Sequence, residues 1–191
     1  TQRVGRSDFQ DEYQKLCAAM DQPSIDGVNT YFVSKVTAET GLKVAMSGLG
    51  GDEIFGGYPS FREVPRLAGT LGKIPGGRCL GRALRALSAP VISAITSPKY
   101  ASLLEYGTCY PDAYLLRRAL FMPWELPKLM DRDMAKAGWE ELDETTLRKT
   151  QVDGLGTARA KVSALEATWY MRSQLLRDSD WAGMAHSLEI R

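Results

Sequence analysis

A short apolar segment, residues 42–47, most constrains what this chain can fold into. Its sequence, LKVAMS, is typical of a buried β-strand, and it runs directly into a glycine-rich stretch at residues 48–59. An isolated strand leaves its backbone N–H and C=O groups unpaired unless other strands flank it. The order helix, strand, glycine-rich loop therefore predicts an α/β unit whose remaining strands lie outside this chain.

Residues at helical spacing predict α-helices over most of the remaining chain. Two helices precede the strand, and six follow the glycine-rich stretch. Their predicted positions are residues 7–20, 28–40, 83–95, 98–106, 112–121, 125–131, 144–151 and 157–177. The stretch 69–82, with five glycines and one proline, is predicted to be a loose and mobile loop. We therefore expect a mostly α-helical chain with few strands.

Charge and hydropathy argue against two classes of partner. The chain has 24 lysines and arginines against 23 aspartates and glutamates, a formal net charge of +1. This balance gives no electrostatic reason to expect binding to nucleic acid or to an anionic membrane. The longest uncharged stretch, residues 86–98, is too short for a membrane span, which takes about 20 apolar residues. We expect neither nucleic acid nor a membrane as a partner.

The cysteines and the single histidine restrict the chemistry further. Cys17, Cys79 and Cys109 are isolated and form no CxxC pair, which favours a reducing, cytoplasmic location over a disulfide scaffold or a zinc site. His186 is the only histidine, so the chain cannot build a two-histidine metal site. We interpret His186 as a hydrogen-bonded structural residue rather than a catalyst.

The stretch that carries chemistry begins at Ser47 and has the sequence SGLGGDEIFGGYP. Small residues at the end of a strand allow backbone N–H groups to converge on an anion. Asp52 and Glu53 follow at once, and a carboxylate beside a phosphate is favourable when Mg²⁺ bridges the two. The alternative is a tight turn whose glycines supply positive φ angles and in which Asp52 caps the next helix.

Three known motifs do not account for this stretch. A Walker loop requires Gly-Lys-Ser/Thr, which is absent from the chain. The dinucleotide fingerprint GxGxxG begins at Gly48 and Gly50 but has Glu53 at its third glycine position. Residues 50–54, GGDEI, also resemble the GGDEF signature of diguanylate cyclases, after which a strand should follow. Residues 56–59, GGYP, break any such strand.

The whole string at residues 47–58, SGLGGDEIFGGY, resembles the second nucleotide-site motif of the asparagine synthase family, which are ATP-pyrophosphatase amidotransferases. Two other segments match the same family. Residues 20–35, from MDQP through Asp26 into a helix, resemble the segment that precedes this strand. Asp180, MAHSLE at residues 184–189 and Arg191 resemble the family's aspartate–MAHSLE–arginine signature. The resemblance reaches from about residue 20 to residue 191.

The resemblance implies an α/β fold, a parallel sheet with flanking helices, like that of adenine-nucleotide alpha hydrolases. It also implies a ligase that adenylates a carboxylate, aspartate or a related acceptor, with ATP and Mg²⁺. The amide nitrogen would come from ammonia that an N-terminal glutaminase domain supplies. The resemblance also allows a homodimer. By the match, Asp52 would hold Mg²⁺ and Glu53 would support it without contact. The nucleotide-binding positions would be Ser47, Gly48, Leu49, Gly50 and Gly51.

Several parts of the family's machinery do not occur in residues 1–191. These are the SGGxDS pyrophosphate loop, the glutaminase domain and a late catalytic lysine. We therefore expect residues 1–191 to be a partial synthetase domain, part of a longer protein and inactive alone. Leu49 stands where asparagine synthetases usually carry a glutamate, which leaves the catalytic residues unknown, with Asp180 and Arg191 as candidates. The alternative function is a non-catalytic scaffold that keeps the synthetase fold.

Other conspicuous residues have structural interpretations. Asp178 and Asp180, beside Arg177, are interpreted as a surface charge cluster. Three arginines at helical spacing are predicted to form a solvated face, and four tryptophans to be core or interface residues. These residues are Arg78, Arg82, Arg85, Trp124, Trp139, Trp169 and Trp181.

Overall fold

The computed structural model describes residues 2–24 and 26–191, which form two compact units. The first unit, called the strand unit here, combines the residues up to Asp52 with Ala167–Arg191. The second, the helical unit, comprises Glu53–Glu166. The helical unit is therefore inserted in the sequence between the two parts of the strand unit.

The strand unit contains a two-stranded parallel sheet and the helices beside it. Val44 pairs with Glu189 and Ala45 with Ile190. The elements are α1 (Arg6–Ala19), α2 (Asp26–Glu39), β1 (Val44–Ala45), the first part of α3 (Gly51–Phe55), α11 (Leu176–Met184) and β2 (Glu189–Ile190). A π-helical segment, Glu166–Leu175, leads into α11, and all but its first residue belongs to this unit.

The described elements that lie wholly within the helical unit are all helices. The α-helices are α4 (Ser60–Leu71), α5 (Gly77–Ile95), α6 (Leu103–Tyr106), α7 (Tyr110–Arg118), α8 (Arg132–Leu142), α9 (Glu144–Val152) and α10 (Ala158–Leu165). Two short 3₁₀ helices, Pro98–Ser102 and Leu126–Lys128, connect them. In the part of the chain that the structure describes, no helix has the length and apolar character needed to cross a bilayer.

Aromatic side chains of α2 and α11, with a leucine of α1, form the core of the strand unit. Tyr31 and Phe32 of α2 pack edge to face with ring centroids 5.5 Å apart, and Trp181 of α11 lies 6.3 Å from Tyr31. Leu16 of α1 completes this buried cluster. Burial of each such side chain contributes roughly 1.5–3 kcal/mol, so this cluster is the main apolar stabilisation of the unit.

His186 packs on this core as a structural residue. Its ring lies 4.3 Å from that of Tyr31 in an edge-to-face arrangement, and burial lowers the pKa of its imidazole. The buried Nε2 atom has no hydrogen-bond partner among the described residues. The structural role is held by ring packing, and Nε2 does not make the hydrogen bond that was expected of this histidine.

A buried carboxylate organises the helical unit. Glu166 has no exposed surface, and Arg118 of α7 donates to both of its carboxylate oxygens at 2.8–3.2 Å. The hydroxyl groups of Tyr114 and Ser60 donate to the same carboxylate. A buried charge is tolerated only when it is paired and hydrogen-bonded, so these four side chains tie α4 and α7 to the end of α10.

The structure corrects several predictions from the sequence. The strand predicted at residues 42–47 is only Val44–Ala45, and a second strand occurs at Glu189–Ile190, where helix was expected throughout. The loop predicted at residues 69–82 is wrong, because α4 extends to Leu71 and α5 already begins at Gly77. Residues 125–131 contain only a three-residue 3₁₀ helix. The mostly helical character is confirmed.

The arginine face on α5 is more specific than a solvated surface. Arg82 and Arg85 both pair with Glu105, at 3.4 and 2.7 Å, and Glu105 is only 3 % exposed. Arg78 pairs with the buried Asp112 at 3.4 Å. The three arginines therefore neutralise two buried carboxylates of neighbouring helices, so the prediction of a merely solvated face is wrong.

Glu12 of α1 is the acid whose charge most clearly stabilises the strand unit. Its carboxylate lies 2.9 Å from the Lys35 ammonium and 3.1 Å from that of Lys15, and it accepts a hydrogen bond from Tyr31 at 3.0 Å. The hydrogen-bonded contacts with Lys35 and Lys15 lower the pKa of Glu12 to about 2. Tyr31 is fixed by this carboxylate as well as by ring packing.

We predict that Glu12 makes the chain acid-sensitive. Its pKa falls from 4.5 to about 2 on folding, so its stabilisation is complete above pH 4.5 and is lost as pH falls towards 2. This loss is about 1–2 kcal/mol, since the exposed Lys15 partner is partly screened by water. Urea unfolding between pH 7 and 2 should show it, and Glu12→Gln should flatten the curve below pH 4.5. An unchanged pH dependence in Glu12→Gln would contradict the assignment.

Candidate functional site

The C-terminal end of α11 sets the position of the second strand. The N–H of Leu188 donates to Gly183 O at 3.0 Å, and the N–H of Ser187 donates to Met184 O at 3.0 Å. Ser187 has a φ of 53°, the left-handed conformation. These bonds are the Schellman arrangement that ends a helix and reverses the chain direction. Residue 187 is serine rather than glycine, so the sequence carries no signal for this helix end.

Gly183 is required for this turn. A Cβ at residue 183 would lie 2.6 Å from the backbone oxygen of Leu188. That distance is shorter than any normal contact. The Leu188 oxygen belongs to the backbone and cannot rotate away, so any residue with a Cβ is excluded at position 183. The close approach allows the chain to leave α11 and enter β2 directly.

The parallel strand pair brings the two ends of the sequence motifs together. The N–H of Glu189 donates to Lys43 O and that of Arg191 to Ala45 O, both at 2.9 Å. The N–H of Ser47 then donates to Arg191 O at 2.6 Å. The first residue of the glycine-rich loop therefore lies beside the last residue of the MAHSLE signature.

The loop after β1 presents open backbone. Gly48 and Gly51 have nothing within 4 Å of an added Cβ, and Gly50 has a φ of 91°, which favours glycine. Ser47 Oγ accepts a hydrogen bond from the N–H of Leu49 at 3.3 Å. No described residue accepts a hydrogen bond from the N–H of Gly48 or Gly50. The loop thus has two N–H groups without an acceptor among the described residues, and open space beside its glycines, as an anion site requires.

One cleft of about 220 Å³ collects four of the residues selected from the sequence. Ser47 and Leu49 line it from the loop, Asp180 from α11 and Arg191 from the end of β2. Asp180 has no hydrogen-bond or ion-pair partner among the described residues. Arg191 Nε pairs with Glu189 at 2.9 Å, and both side chains are largely exposed. The carboxylate of Asp180 and the guanidinium cation of Arg191 therefore border the same small cleft.

Leu49 also faces a second cleft, of about 200 Å³, bounded by α2. Ser34 lines this cleft, and its buried hydroxyl has no hydrogen-bond partner among the described residues. Leu49 is 36 % exposed, so its side chain forms a wall common to both clefts rather than part of the core. A polar side chain at this position could reach solvent.

The structure does not place the other predicted site residues on these clefts. Gly48, Gly50 and Gly51 follow Ser47 along the loop without lining either cleft. Asp52 is exposed in α3, and its carboxylate has no hydrogen-bond or ion-pair partner among the described residues. The carboxylate of Glu53 instead is buried in the helical unit, where it accepts a hydrogen bond from Tyr58 at 3.1 Å.

The segment that precedes α2 is held by a buried acid. Asp178 is 2 % exposed, and it accepts hydrogen bonds from Ser24 Oγ and from Trp181 Nε1. Arg177 pairs with it and with Asp21. The prediction that Asp178 is part of a surface charge cluster is therefore wrong: it is an internal acceptor that joins α11 to the segment before α2.

Gly27 allows α2 and α11 to approach closely. A Cβ at this position would lie 2.3 Å from the Trp181 indole. This contact explains why the sequence has glycine in the first turn of a helix, where it otherwise weakens helix formation.

Glu189 is the site residue that sequence reasoning passed over, although it belongs to the signature. It lines the cleft beside Asp180 and binds Arg191. Alternate residues of a strand point to the same face, so Glu189 and Arg191 would have been paired if residues 188–191 had been recognised as a strand. Two paired residues are too short a pattern for periodicity to reveal.

The polar groups of the glycine-rich loop are compatible with a nucleotide phosphate and Mg²⁺. The open N–H groups of Gly48 and Gly50 suit phosphate oxygens, and the unpaired carboxylate of Asp52 suits a hard cation. Among the described residues, no three His, Cys, Asp or Glu side chains cluster to hold a metal unaided. Mg²⁺ usually takes only one or two carboxylates, together with substrate phosphates and water.

Comparison with known proteins gives the same result as the motifs. The asparagine synthase family model matches residues 1–191, the whole chain. This chain belongs to the asparagine synthase family. Asparagine synthetase [glutamine-hydrolyzing] 1 of Bacillus subtilis is 29% identical over 201 residues, which cover 98% of this chain but 29% of that protein. No solved structure matches the chain significantly.

A second relative matches a shorter region. The protein named "Putative asparagine synthetase [glutamine-hydrolyzing] 1" of Methanocaldococcus jannaschii is 31% identical over 70 residues, 35% of this chain and 13% of that protein. The chain therefore spans less than a third of the length of either of these asparagine synthase relatives.

We predict that Gly183 is essential to the site's geometry in this family member. Gly183→Ala should lower the free energy of unfolding by about 1–3 kcal/mol, because the added methyl group overlaps Leu188 O. The matched control is Gly138→Ala in α8, where an added Cβ meets nothing within 4 Å. The control should raise stability by about 0.5–1 kcal/mol in urea unfolding. Equal effects of both substitutions would contradict the proposed role of Gly183.

Proposed function

We propose that this chain is part of an ATP-dependent amidotransferase that adenylates a carboxylate and converts it to an amide with glutamine-derived ammonia. The hydrogen bond from Ser47 N–H to Arg191 O is the main support, because it joins the nucleotide-loop motif to the MAHSLE signature. Family membership and the relatives named as glutamine-hydrolysing asparagine synthetases support the same class.

The extent of the match supports a partial synthetase domain. The chain spans 29% of the Bacillus subtilis relative, so the proposed enzyme would contain further segments. We propose that these supply the SGGxDS loop, a glutaminase domain and a late lysine. Cys17, Cys79 and Cys109 are free thiols, which favours a reducing cytoplasmic environment for the whole protein.

Each loop residue has a proposed task. The N–H groups of Gly48 and Gly50 bind and orient phosphate oxygens of ATP, and the positive φ of Gly50 is a backbone conformation that favours glycine. Ser47, Leu49 and Gly51 complete the nucleotide-binding segment. Mg²⁺, when bound, would neutralise the charge of the pyrophosphate leaving group. Asp52 would hold that ion through its exposed carboxylate.

The acceptor carboxylate would occupy the 220 Å³ cleft. Arg191 supplies a cation at its edge, and Asp180 supplies an unpaired acid that can accept a proton or bind an ammonium group. Leu49 cannot transfer a proton, so either another acid takes over that role or the acceptor is a carboxylate other than aspartate. We propose that the side chain of Leu49 selects the acceptor by shape.

The alternative is a scaffold that has lost catalysis. Leu49 favours it, because an acid expected for asparagine synthesis is missing. The open glycine loop and the carboxylate of Asp52 oppose it, since neither is engaged by another described side chain. These features favour the enzyme.

We predict that Asp52→Asn in the longer protein containing this chain lowers ATP-dependent pyrophosphate release about 100-fold or more. Losing one anionic ligand removes charge compensation at the leaving group, typically worth several kcal/mol. Pyrophosphate is measured at saturating Mg²⁺, ATP and ammonia. Asp11→Asn, an exposed acid on α1 with no described partner, is the matched control and should retain activity.

The 191-residue chain alone serves as a second comparison. It should release no AMP, because the remaining parts of the proposed site lie outside it. Undiminished turnover by Asp52→Asn would remove Asp52 from the site, and AMP release by the chain alone would contradict the partial-domain proposal.

We predict that Leu49→Glu does not raise asparagine formation from aspartate. Leu49 is partly exposed, so the carboxylate should be accommodated with a small stability cost, and activity can be compared at matched folding. Ammonia-dependent asparagine and AMP are both measured, with Leu49→Gln as the uncharged control of similar size. A gain in the range of about 10²–10⁴-fold for Leu49→Glu alone would show that the protein is an asparagine synthetase lacking its acid.

A further inference from the structure

A third cleft, of about 450 Å³, lies entirely within the helical unit. Its walls come from the first turns of α5 and α7, the end of α9 with the turn after it, and α10. Gly154, with a φ of 79°, forms that turn. The volume is within the range of small-molecule sites, and the proposed synthetase reaction makes no use of this cleft.

Three cationic side chains from three helices line this cleft. Arg78 comes from α5, Lys149 from the last turn of α9 and Lys161 from α10. Such a grouping of like charges is unfavourable unless anions compensate it. The question is therefore which of the three cations has a carboxylate partner among the described residues.

Only part of this charge is compensated by the chain. Arg78 pairs with the buried Asp112 at 3.4 Å, so its charge is accounted for. Neither Lys149 nor Lys161 has a carboxylate within 4.0 Å among the described residues. The ammonium of Lys161 lies 5.1 Å from the centre of the Tyr110 ring, which positions it without neutralising it.

The remaining lining residues leave the cleft with an excess of positive charge. Asp153 is one further carboxylate against two uncompensated lysines. Burial raises the pKa of the Cys109 thiol, which stays neutral and adds no negative charge. Val152 and Pro111 supply apolar surface. The chemistry matches a small ligand that carries a negatively charged oxygen group on a compact body.

We propose that this cleft binds a small oxyanion, a phosphate or a carboxylate, between Lys149 and Lys161. A lysine ammonium is a compact point charge that suits both groups, and two such charges from different helices would hold the anion at the cleft. Binding would also tie α9 to α10, because each helix contributes one of the two cations.

The test uses the full chain and isothermal titration calorimetry with inorganic phosphate and with succinate, at ionic strength matched with sodium chloride. We expect saturable binding of at least one anion with a dissociation constant of about 1 mM or lower. Tighter binding of phosphate identifies a phosphoryl ligand and tighter binding of succinate a carboxylate. Absence of saturable heat for both anions would overturn the proposal.

Two substitutions and a control locate the binding. Lys149→Met and Lys161→Met keep the apolar stem and remove the charge, and each should weaken binding about 10-fold or more. Lys73→Met, an exposed lysine of the same unit that does not line the cleft, should stay within about 2-fold. An equal loss in Lys73→Met would show a general charge effect and overturn the site. If Lys161→Met unfolds through loss of its Tyr110 contact, Lys161→Arg should retain binding while Lys149→Met still decides the outcome.

Discussion

The parallel hydrogen bonds between β1 and β2 are the constraint on which the candidate site depends. Two residues per strand are too few to be stable alone, so the pair persists only because helices hold it. Asp178 supplies much of this support: it accepts hydrogen bonds from Ser24 and Trp181 and so joins α11 to the chain before α2. Asp178 thus helps to hold the helices that flank the two strands, although it does not contact the strands themselves. The strands in turn bring Ser47 next to Arg191.

The MAHSLE signature has a physical explanation in this arrangement. Gly183 permits the backbone of Leu188 to pass close to the helix, and Ser187 adopts the left-handed conformation that ends it. Leu188 is 2 % exposed and anchors the turn in the core, while the strand that follows it, with Glu189 and Arg191, borders the cleft. The signature therefore encodes a helix end, a buried anchor and a strand, in that order.

The sequence predicted the local features and missed those created by distant contacts. Thr157 was identified as the start of a long helix, and it caps α10 through Ala160 N–H. The second strand was missed because its stability comes from pairing with β1, far away in sequence, and not from its own pattern. Asp178 was misassigned for the same reason: its neighbours Arg177 and Asp180 suggest a surface, but its partner Ser24 lies near the other end of the chain. Ser47, Leu49, Asp180 and Arg191 were found through motifs, and only the strand pairing shows why they share a cleft.

Five acidic residues of this chain fall into two groups, buried acids that have a cationic partner and exposed acids that have none among the described residues. Glu166, Asp178 and Glu12 are buried, and each has a cationic partner within 3.3 Å, as the cost of an unpaired buried charge demands. Asp52 and Asp180 are exposed and have no partner among the described residues. The first group is committed to the fold, because removing a partner would leave a buried charge. The second group makes no ion pair or hydrogen bond with the described residues, so its carboxylates remain available to a cation or an ammonium group. Asp11 shares this exposure, so what distinguishes the two acids of the proposed site is their position: Asp180 lines the 220 Å³ cleft, and Asp52 directly follows the glycine-rich loop.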